Sequence, residues 1–357
     1  MNGKSIILLF LVTLIPANGF AEIPKIGVIL PLSGKGAPAG ESVRQGIQMA
    51  IESNPGIIEP IFEDGALDGA RSISAFHKLN QSDGVIGSIV FASGPSAAVA
   101  PLAEVSKVPT VGFSVDSTIP RGKNWMMVFW TSAEEFSSRF ISELRHRGVK
   151  KVATISTQAQ GLMEMERTFS VDAASAGIAE VFRAEFLPGE TDFSSAILLL
   201  KQKQPEVIFV NLFFGQAGRF AAQARALGLR VPLGSGFIFD DQAEISAAEG
   251  ALEGAFFVTT AAGDGSFHRD YLSRYGVRPA LGAIQGYDLG SLFIQAVRGG
   301  SKTRAQLNSA LHEVKNYPGK IGNLSATENG SFSVPAATWV IRNGVPVLER
   351  TPETLQN

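Results

Sequence analysis

Short apolar runs alternate with longer amphipathic segments along the first part of the chain. The runs have the length and composition of buried strands, and apolar residues recur at helical spacing between them. Strands are predicted at 26–30, 57–62, 84–89 and 109–113, and helices at 39–53, 68–79 (capped by Asp68) and 96–105. Strands that alternate with helices in this way favour a parallel sheet covered by helices on both faces.

The same rhythm begins again near residue 149. Strands are predicted at 149–156, 178–186, 205–211 and 231–234, and helices at 163–177, 193–202 (after a cap at Thr191-Asp192) and 217–227. The last third adds helices at 287–298 and 304–312, a strand at 336–342 and a hairpin turn at Asn343-Gly344. These last elements are too few to bury a core of their own, so they are expected to return to the earlier ones. The predicted fold class is α/β, with two doubly wound parallel-sheet lobes.

The first 21 residues have the pattern of a secretory signal peptide. Lys4 precedes an apolar run at 6–15, Pro16 ends the run, and Gly19-Phe20-Ala21 offers small residues for cleavage. A buried N-terminal helix is the alternative interpretation. The mature chain is expected to begin near Glu22, and no later segment reaches the roughly 18 uninterrupted apolar residues of a membrane span. We therefore expect an exported protein with no membrane insertion after cleavage.

Composition narrows the possible functions. The 357 residues carry a formal net charge of −2, which gives no basic excess for binding nucleic acid. The absence of cysteine excludes disulfides, thiolate metal ligands, cysteine nucleophiles and a lipid-modified N-terminal cysteine. Hydrophobic residues make up 45% of the chain, which is enough for large buried cores, and the length suits two domains.

A glycine-rich loop after the first predicted strand raises the alternative of a nucleotide site. A dinucleotide-binding turn needs G-x-G-x-x-G directly between strand and helix, so that backbone N–H groups face a pyrophosphate. Here Gly34, Gly36 and Gly40 are spaced G-x-G-x-x-x-G, Pro31 interrupts the strand exit, and Pro38 removes an amide. The loop is too long for that turn, and this spacing disfavours a nucleotide enzyme.

The sequence also lacks the usual catalytic and metal-binding patterns. The four histidines are scattered without ligand spacing, and there is no G-x-S-x-G nucleophile elbow. Asp240-Asp241 is interpreted as a helix start rather than an acid pair, and Glu134-Glu135 as charges in a first helical turn. We therefore expect no enzyme, no metal site and no cofactor, but a ligand bound in a cleft between two lobes.

Six motifs occur in a specific order along the mature chain. They are IPKIGVILPLSGKGAPAGESVRQGIQMAIE, FEDGALD, GVIGSIVFASGPSAAVAPLAEVSKVPTVGFS, GETDFSSAILLLKQKQPEVIFV, QARALGLRVPLGSG and AIQGYDLGSLFIQAV. In this order they resemble the periplasmic branched-chain amino-acid-binding proteins, the type I solute-binding proteins of ABC importers. The resemblance covers nearly all of the mature chain.

This resemblance implies the type I periplasmic binding protein fold, in which two lobes joined by three crossovers trap a ligand by hinge closure. The crossovers are expected near 130–132, 258–261 and 335–338. Lobe I would contain residues 22–131 and 260–336, and lobe II residues 132–259 and 337–357. The implied protein is a periplasmic monomer, and its implied partners are a small-molecule ligand and the membrane permease of an ABC importer.

The implied ligand positions carry unusual residues in this chain. Phe91 falls at the hydroxyl position that holds the ligand carboxylate after the third strand, although Ser93 lies close by. The second hydroxyl position aligns with Asp116, two residues after Ser114, and an ionised Asp116 would repel a carboxylate. The acidic residue that binds the ligand ammonium group aligns with Gly236.

The implied walls of the site differ as well. Ala39 and Gly161 stand where relatives often carry an aromatic side chain, whereas Phe213 retains one. Phe214 and Phe237 would add further apolar surface. By this comparison the wall has lost side-chain volume at some positions and gained aromatic surface at others.

We therefore expect a ligand that is larger or less polar than an α-amino acid, because buried charges need counter-charges that the aligned positions lack. Its few polar contacts are expected from Ser33, Ser93, Ser114, Asp116 or Gln158. An alignment shifted by one or two residues in these loops is an alternative, and the phenylalanines could equally be core residues. A conventional branched-chain amino-acid binder and a sensory protein on the same fold also remain open.

Overall fold

The computed structural model describes residues 22–261 and 265–351, and the predicted signal peptide lies outside this range. The first sheet contains β1 (Lys25–Leu30), β2 (Glu59–Asp64), β3 (Gly87–Phe91), β4 (Thr110–Phe113) and β5 (Met126–Val128). These strands are parallel and lie in the order β2-β1-β3-β4-β5. Three helices connect them: α1 (Ala37–Glu52), α2 (Gly69–Gln81) and α3 (Ser93–Ser106).

The second sheet begins after α4 (Ala133–His146). Its strands are β6 (Lys151–Thr157), β7 (Ala179–Phe186), β8 (Val207–Asn211), β9 (Leu233–Ser235), β10 (Phe256–Thr260), β13 (Ala336–Arg342) and β14 (Val345–Arg350). They lie in the order β14-β13-β10-β9-β8-β6-β7, where the β10–β13 and β13–β14 pairs are antiparallel and the other neighbouring pairs are parallel. The connecting helices are α5 (Gln160–Ser175), α6 (Ser194–Lys203), α7 (Ala217–Ala226) and α8 (Gln242–Ala247), with a 3₁₀ turn at Phe237–Asp240.

The chain between β10 and β13 returns to the first sheet. It forms α9 (Ser266–Tyr275), α10 (Ala283–Arg298), α11 (Arg304–His312) and a small hairpin of β11 (Tyr317–Pro318) and β12 (Asn323–Leu324). Helix α10 packs directly on α1, because a Cβ at Gly46 would lie 2.0 Å from the Ala283 carbonyl oxygen. A Cβ at Gly286 would likewise lie 2.5 Å from the carbonyl oxygen of Val43. The two helices therefore touch through their backbones.

The predicted α/β architecture with two sheets is confirmed, but β5, α9, β10 and the β11–β12 hairpin were not predicted from the sequence. Every residue of β5 and β10 is buried. The run of β10 continues as a strand to Thr260, although a crossover was expected from residue 258. The predicted cap at Thr191-Asp192 also needs correction: Phe193 is the N-cap of α6, and Asp192 accepts a hydrogen bond from the Ser194 N–H.

A buried ion cluster fixes the C-terminal hairpin to the second sheet. Glu143 of α4 is fully buried and pairs with Arg147, the C-cap residue of the same helix, and with Arg350 of β14. Arg147 also lies 4.2 Å above the ring of Phe256 in β10. None of the helices within 22–261 and 265–351 is both long and apolar enough to cross a membrane.

Candidate functional site

An apolar cavity of about 300 Å³ lies between the two sheets, where the carboxyl ends of β3 and β4 face those of β6 and β8. The aromatic residues of its wall are Phe91, Phe113, Trp130, Phe213, Phe214 and Phe237. The aliphatic residues are Leu67, Ala92, Pro95, Val115, Ala159, Leu162, Pro188 and Leu281. Ser93, Gln158, Gln160, Gly94 and Gly161 complete it. Among the described residues the lining contains no charged side chain, so the cavity favours an apolar ligand.

Trp130 connects the aromatic residues of the two sides. Its ring meets Phe91 (centroids 6.5 Å apart, 85° between planes) and Phe113 (5.9 Å, 89°) from the first sheet. It also meets Phe237, which follows β9, at 6.0 Å and 79°. These edge-to-face contacts are a favourable arrangement of aromatic pairs. Because Trp130 lies where the chain passes from β5 to α4, it couples the cavity wall to the connection between the sheets.

A chain of hydroxyl groups ends at the cavity. The Asp116 backbone N–H donates to Ser114 Oγ at 3.0 Å, and the Ser114 hydroxyl donates to Ser93 Oγ at 2.8 Å. The Ser114 hydroxyl is thus used as acceptor and as donor, and among the described residues the Ser93 hydroxyl hydrogen has no acceptor. Ser93 lines the cavity, so its hydroxyl is available to donate to a ligand.

Two helix N-termini also face the cavity. The N-caps are Ala92 for α3 and Ala159 for α5, and neither has a side-chain capping bond. Ala92 has φ 78° and ψ 150°, a conformation that costs a residue with a side chain about 1–3 kcal/mol. This strained residue turns the chain from β3 into α3. Uncapped helix N-termini carry partial positive charge, which favours an anion or a hydrogen-bond acceptor in the cavity.

The Asp116 carboxylate is turned away from the apolar cavity. It accepts hydrogen bonds from the Thr118 N–H (2.9 Å), the Thr118 hydroxyl (2.6 Å) and Gln160 Nε2 (3.1 Å). Asp116 instead lines a neighbouring polar cavity of about 550 Å³, together with Glu166 and Arg183. Gln158 and Gln160 lie between the two cavities and line both.

Six of the eleven site residues predicted from the sequence line the apolar cavity together: Phe91, Ser93, Gln158, Gly161, Phe213 and Phe237. The structure places the others elsewhere. Ser114 does not line the cavity, but its hydroxyl donates to Ser93 Oγ, which does. Ala39 is buried in α1. Gly236 packs closely against the Met165 side chain, because a Cβ at Gly236 would lie 2.6 Å from Cε of Met165.

Ser33 is held by Asp64 and does not reach the cavity. The Ser33 hydroxyl donates to Asp64 Oδ2 at 2.5 Å, and the N–H groups of Leu32 and Ala66 donate to Oδ1. Burial acts to raise the pKa of Asp64, but these hydrogen bonds lower it overall. In the same loop, a Cβ at Gly40 would lie 2.0 Å from the Pro31 carbonyl oxygen. Gly36 likewise packs against Leu67 and Pro31, whereas Gly34 faces open space.

The acidic pair Asp240-Asp241 lies beyond the cavity wall. Asp241 caps α8 by accepting the Ala243 N–H at 2.8 Å, which confirms the predicted helix start. Burial and the neighbouring charge of Asp241 raise the pKa of Asp240 to about 7. Within the described ranges, no group of three or more histidine, aspartate or glutamate side chains could hold a metal ion.

Sequence reasoning missed part of the cavity wall. Trp130, Phe113, Leu67, Gln160 and Leu281 all line it. Trp130 was placed in a crossover, where the sequence gives no sign that its ring would face a ligand. An aromatic residue inside a predicted crossover was the one available signal, since such a segment must pass the cleft.

Comparison with known proteins identifies relatives over nearly the whole chain. Residues 24–343 match the family model described as a periplasmic binding protein. The Leu/Ile/Val-binding protein homolog 3 of Brucella melitensis is 22% identical over 344 residues, which span 89% of this chain and 90% of that protein.

Solved structures share the fold. The leucine-binding protein LivK of Thermotoga maritima has 25% sequence identity and a TM-score of 0.87, covering 93% of this chain and all of that one. A solute-binding protein of R. palustris in complex with benzoate has 20% identity and a TM-score of 0.84, covering 92% of this chain and 96% of that one. The second likeness is one of fold alone.

Proposed function

Because the chain belongs to the periplasmic binding protein family, we propose that it captures a small molecule between its two sheets by hinge closure and delivers it to an ABC importer. The signal-like N-terminus supports export to the periplasm. We further propose that the two sheets are the centres of two lobes with the bounds expected from the sequence, except that Thr260 and Ala336 pair with each other in the second sheet and so belong to its lobe. The cavity then lies where hinge motion would open and close it.

The ligand that we propose is less polar than an α-amino acid. The observation that carries this proposal is the aromatic lining without a charged side chain among the described residues. An α-ammonium group in this cavity would lose its water without gaining a carboxylate partner, and an unpaired buried charge costs several kcal/mol. A planar or branched hydrocarbon body would instead pack on Phe91, Trp130, Phe213 and Phe237.

One polar group on the ligand would complete the match. The Ser93 hydroxyl donor and the N-termini of α3 and α5 converge on the cavity, and together they favour a carboxylate or another acceptor. From the sequence, the charge of Asp116 was expected to repel an anionic ligand. This repulsion is reduced because the Thr118 hydroxyl and Gln160 Nε2 donate hydrogen bonds to the Asp116 carboxylate. An aromatic monocarboxylate would match both the aromatic wall and the hydrogen-bond donors of the cavity.

Calorimetry with a defined panel tests this proposal. The panel contains leucine, isoleucine, valine, benzoate, larger aromatic acids, their amides and lipids. We expect an aromatic acid to bind and the matched amide to bind more weakly. Tight binding of leucine would contradict the proposal. Native mass spectrometry of the purified protein provides an independent identification of any molecule that it retains.

A conventional branched-chain amino-acid binder is the second candidate. The names of the curated relatives favour it, since the Brucella protein is a Leu/Ile/Val-binding protein homologue. At 22% identity such a name is a weak guide to the ligand. The aliphatic amino acids in the panel decide between the two candidates directly.

A further inference from the structure

The first turns of α3 and α5 meet across the cleft at Gly161. We propose that Gly161 sets how far the two lobes close over the cavity, and thereby the size of ligand that the closed cavity holds. This inference rests on hinge closure as proposed above. Its physical basis is a contact between the backbone of one lobe and a side chain of the other.

The contact leaves no room for a side chain at position 161. A Cβ there would lie 2.5 Å from Ser93 Oγ, 3.1 Å from Ser93 Cβ and 3.0 Å from Cγ2 of Val115. Distances below 3.0 Å are not tolerated between such atoms, so one partner has to move. Gly161 has no unusual backbone angle to explain the glycine, because it lies in the first turn of α5. Close approach is therefore the reason that only glycine fits in this closed arrangement.

Ser93 cannot easily move aside. Its Oγ accepts the hydrogen bond from the Ser114 hydroxyl, and Ser114 is itself held by the Asp116 N–H. Rotating the Ser93 side chain away from position 161 would break this chain in a buried place, where a lost hydrogen bond costs about 1–3 kcal/mol. The easier response to an added methyl group is that α5 withdraws from α3, which widens the cleft.

Other contacts also join the two sides of the cleft near Gly161 or further along it. Gln160 donates to Asp116 at 3.1 Å beside Gly161, and Ser117 donates to Glu134 of α4 at 2.8 Å. On the other side of the cleft, the Lys35 side chain lies over Gly215. Withdrawal of α5 would strain or break the hydrogen bond from Gln160 to Asp116 first, since Gln160 is adjacent to Gly161.

The absence of cysteine provides a clean assay. Cysteines introduced by Asp116→Cys and Gln160→Cys mark the two sides of the closed cleft, and a short bis-methanethiosulfonate reagent links them only when the cleft closes. The rate of cross-linking, divided by the rate of single-site labelling, measures closure even where the closed state is a minority. No ligand is needed, so the result does not depend on which molecule the cavity binds.

In this background we expect Gly161→Ala to slow cross-linking at least tenfold. Gly94→Ala is the matched control, because it adds a methyl group to the same cavity wall where no atom lies within 4 Å, and it should leave the rate unchanged. Ser93→Gly combined with Gly161→Ala removes the main clash and should restore part of the rate. Circular dichroism confirms that each variant is folded.

Equal cross-linking rates for the parent and Gly161→Ala would overturn the inference, as would a parent pair that never cross-links. The proposed function has a separate test: if no member of the ligand panel binds, the function fails while the closure result stands. If an aromatic acid binds but Gly161→Ala closes normally, the inference alone fails.

Discussion

Replacing Asp288 with asparagine should remove a pH dependence from the stability of this protein. Asp288 lies in α10 and is 1% exposed. Its carboxylate accepts the backbone N–H groups of Lys320 at 2.7 Å and Ile321 at 2.8 Å. Burial raises the pKa of Asp288 to about 6 from 3.8, while these hydrogen bonds and the charge of Lys320 lower it in part.

The sign of the effect follows from proton linkage. Because the pKa in the folded state exceeds that in the unfolded chain, the folded protein holds a proton between these two values that the unfolded chain has lost. The contribution of Asp288 to the free energy of unfolding therefore falls as the pH rises through about 6. With these two pKa values it decreases by about 1 kcal/mol between pH 5 and pH 7.

Urea denaturation of the parent and Asp288→Asn at pH 5, 6 and 7 measures this contribution. The asparagine amide places an N–H donor against a backbone N–H, so the variant should be less stable at every pH. This loss of stability does not depend on pH, because asparagine has no titratable group in this range. The difference in unfolding free energy, parent minus variant, should shrink by about 1 kcal/mol from pH 5 to pH 7. A difference that stays constant over this range would refute the assignment of a raised pKa to the buried Asp288 carboxyl.

Three further substitutions test the site and its support. Ser93→Ala should weaken binding of whichever aromatic acid of the panel binds by about 10- to 150-fold, because a hydrogen bond to a charged acceptor contributes about 1.5–3 kcal/mol. Unchanged calorimetric affinity would remove Ser93 from the ligand contacts. Ala92→Gly should raise the free energy of unfolding by about 1 kcal/mol in urea titrations, since glycine relieves strain at φ 78°; a loss of stability would contradict this. Glu143→Ala should lower the free energy of unfolding by about 3 kcal/mol, because Arg147 and Arg350 lose a buried partner; a loss below about 1 kcal/mol would show that solvent replaces the pair.

The fold could be predicted because its signals are local. The helix expected at 304–312 and the strand expected at 336–342 coincide with α11 and β13. Asn343 and Gly344 both have positive φ, 52° and 71°, as the predicted hairpin turn requires. Periodicity and turn chemistry act over a few residues, so one sequence suffices to read them.

The cavity wall was harder to predict because it depends on where loop side chains point. Ser33 was expected to contact ligand, but Asp64, which lies 31 residues away in sequence, binds its hydroxyl. Asp116 was expected to face a ligand, but Thr118 and Gln160 hold its carboxylate on the other side of the loop. Trp130 was assigned only to a crossover, although its ring links both halves of the cavity. None of these partners is visible in the local pattern.

Small residues at aligned positions have a further consequence for the ligand. A glycine or alanine in place of an aromatic residue enlarges a site only if no other protein atom occupies the vacated space. At Gly161 that space is occupied by Ser93 and Val115, and at Gly236 it is occupied by Met165. Ala39 is buried in α1 and does not line the cavity. The small residues therefore provide little argument for a larger ligand. The case for an unusual ligand rests on polarity, because the described lining is largely aromatic and offers no charged side chain to pair with the charges of an α-amino acid.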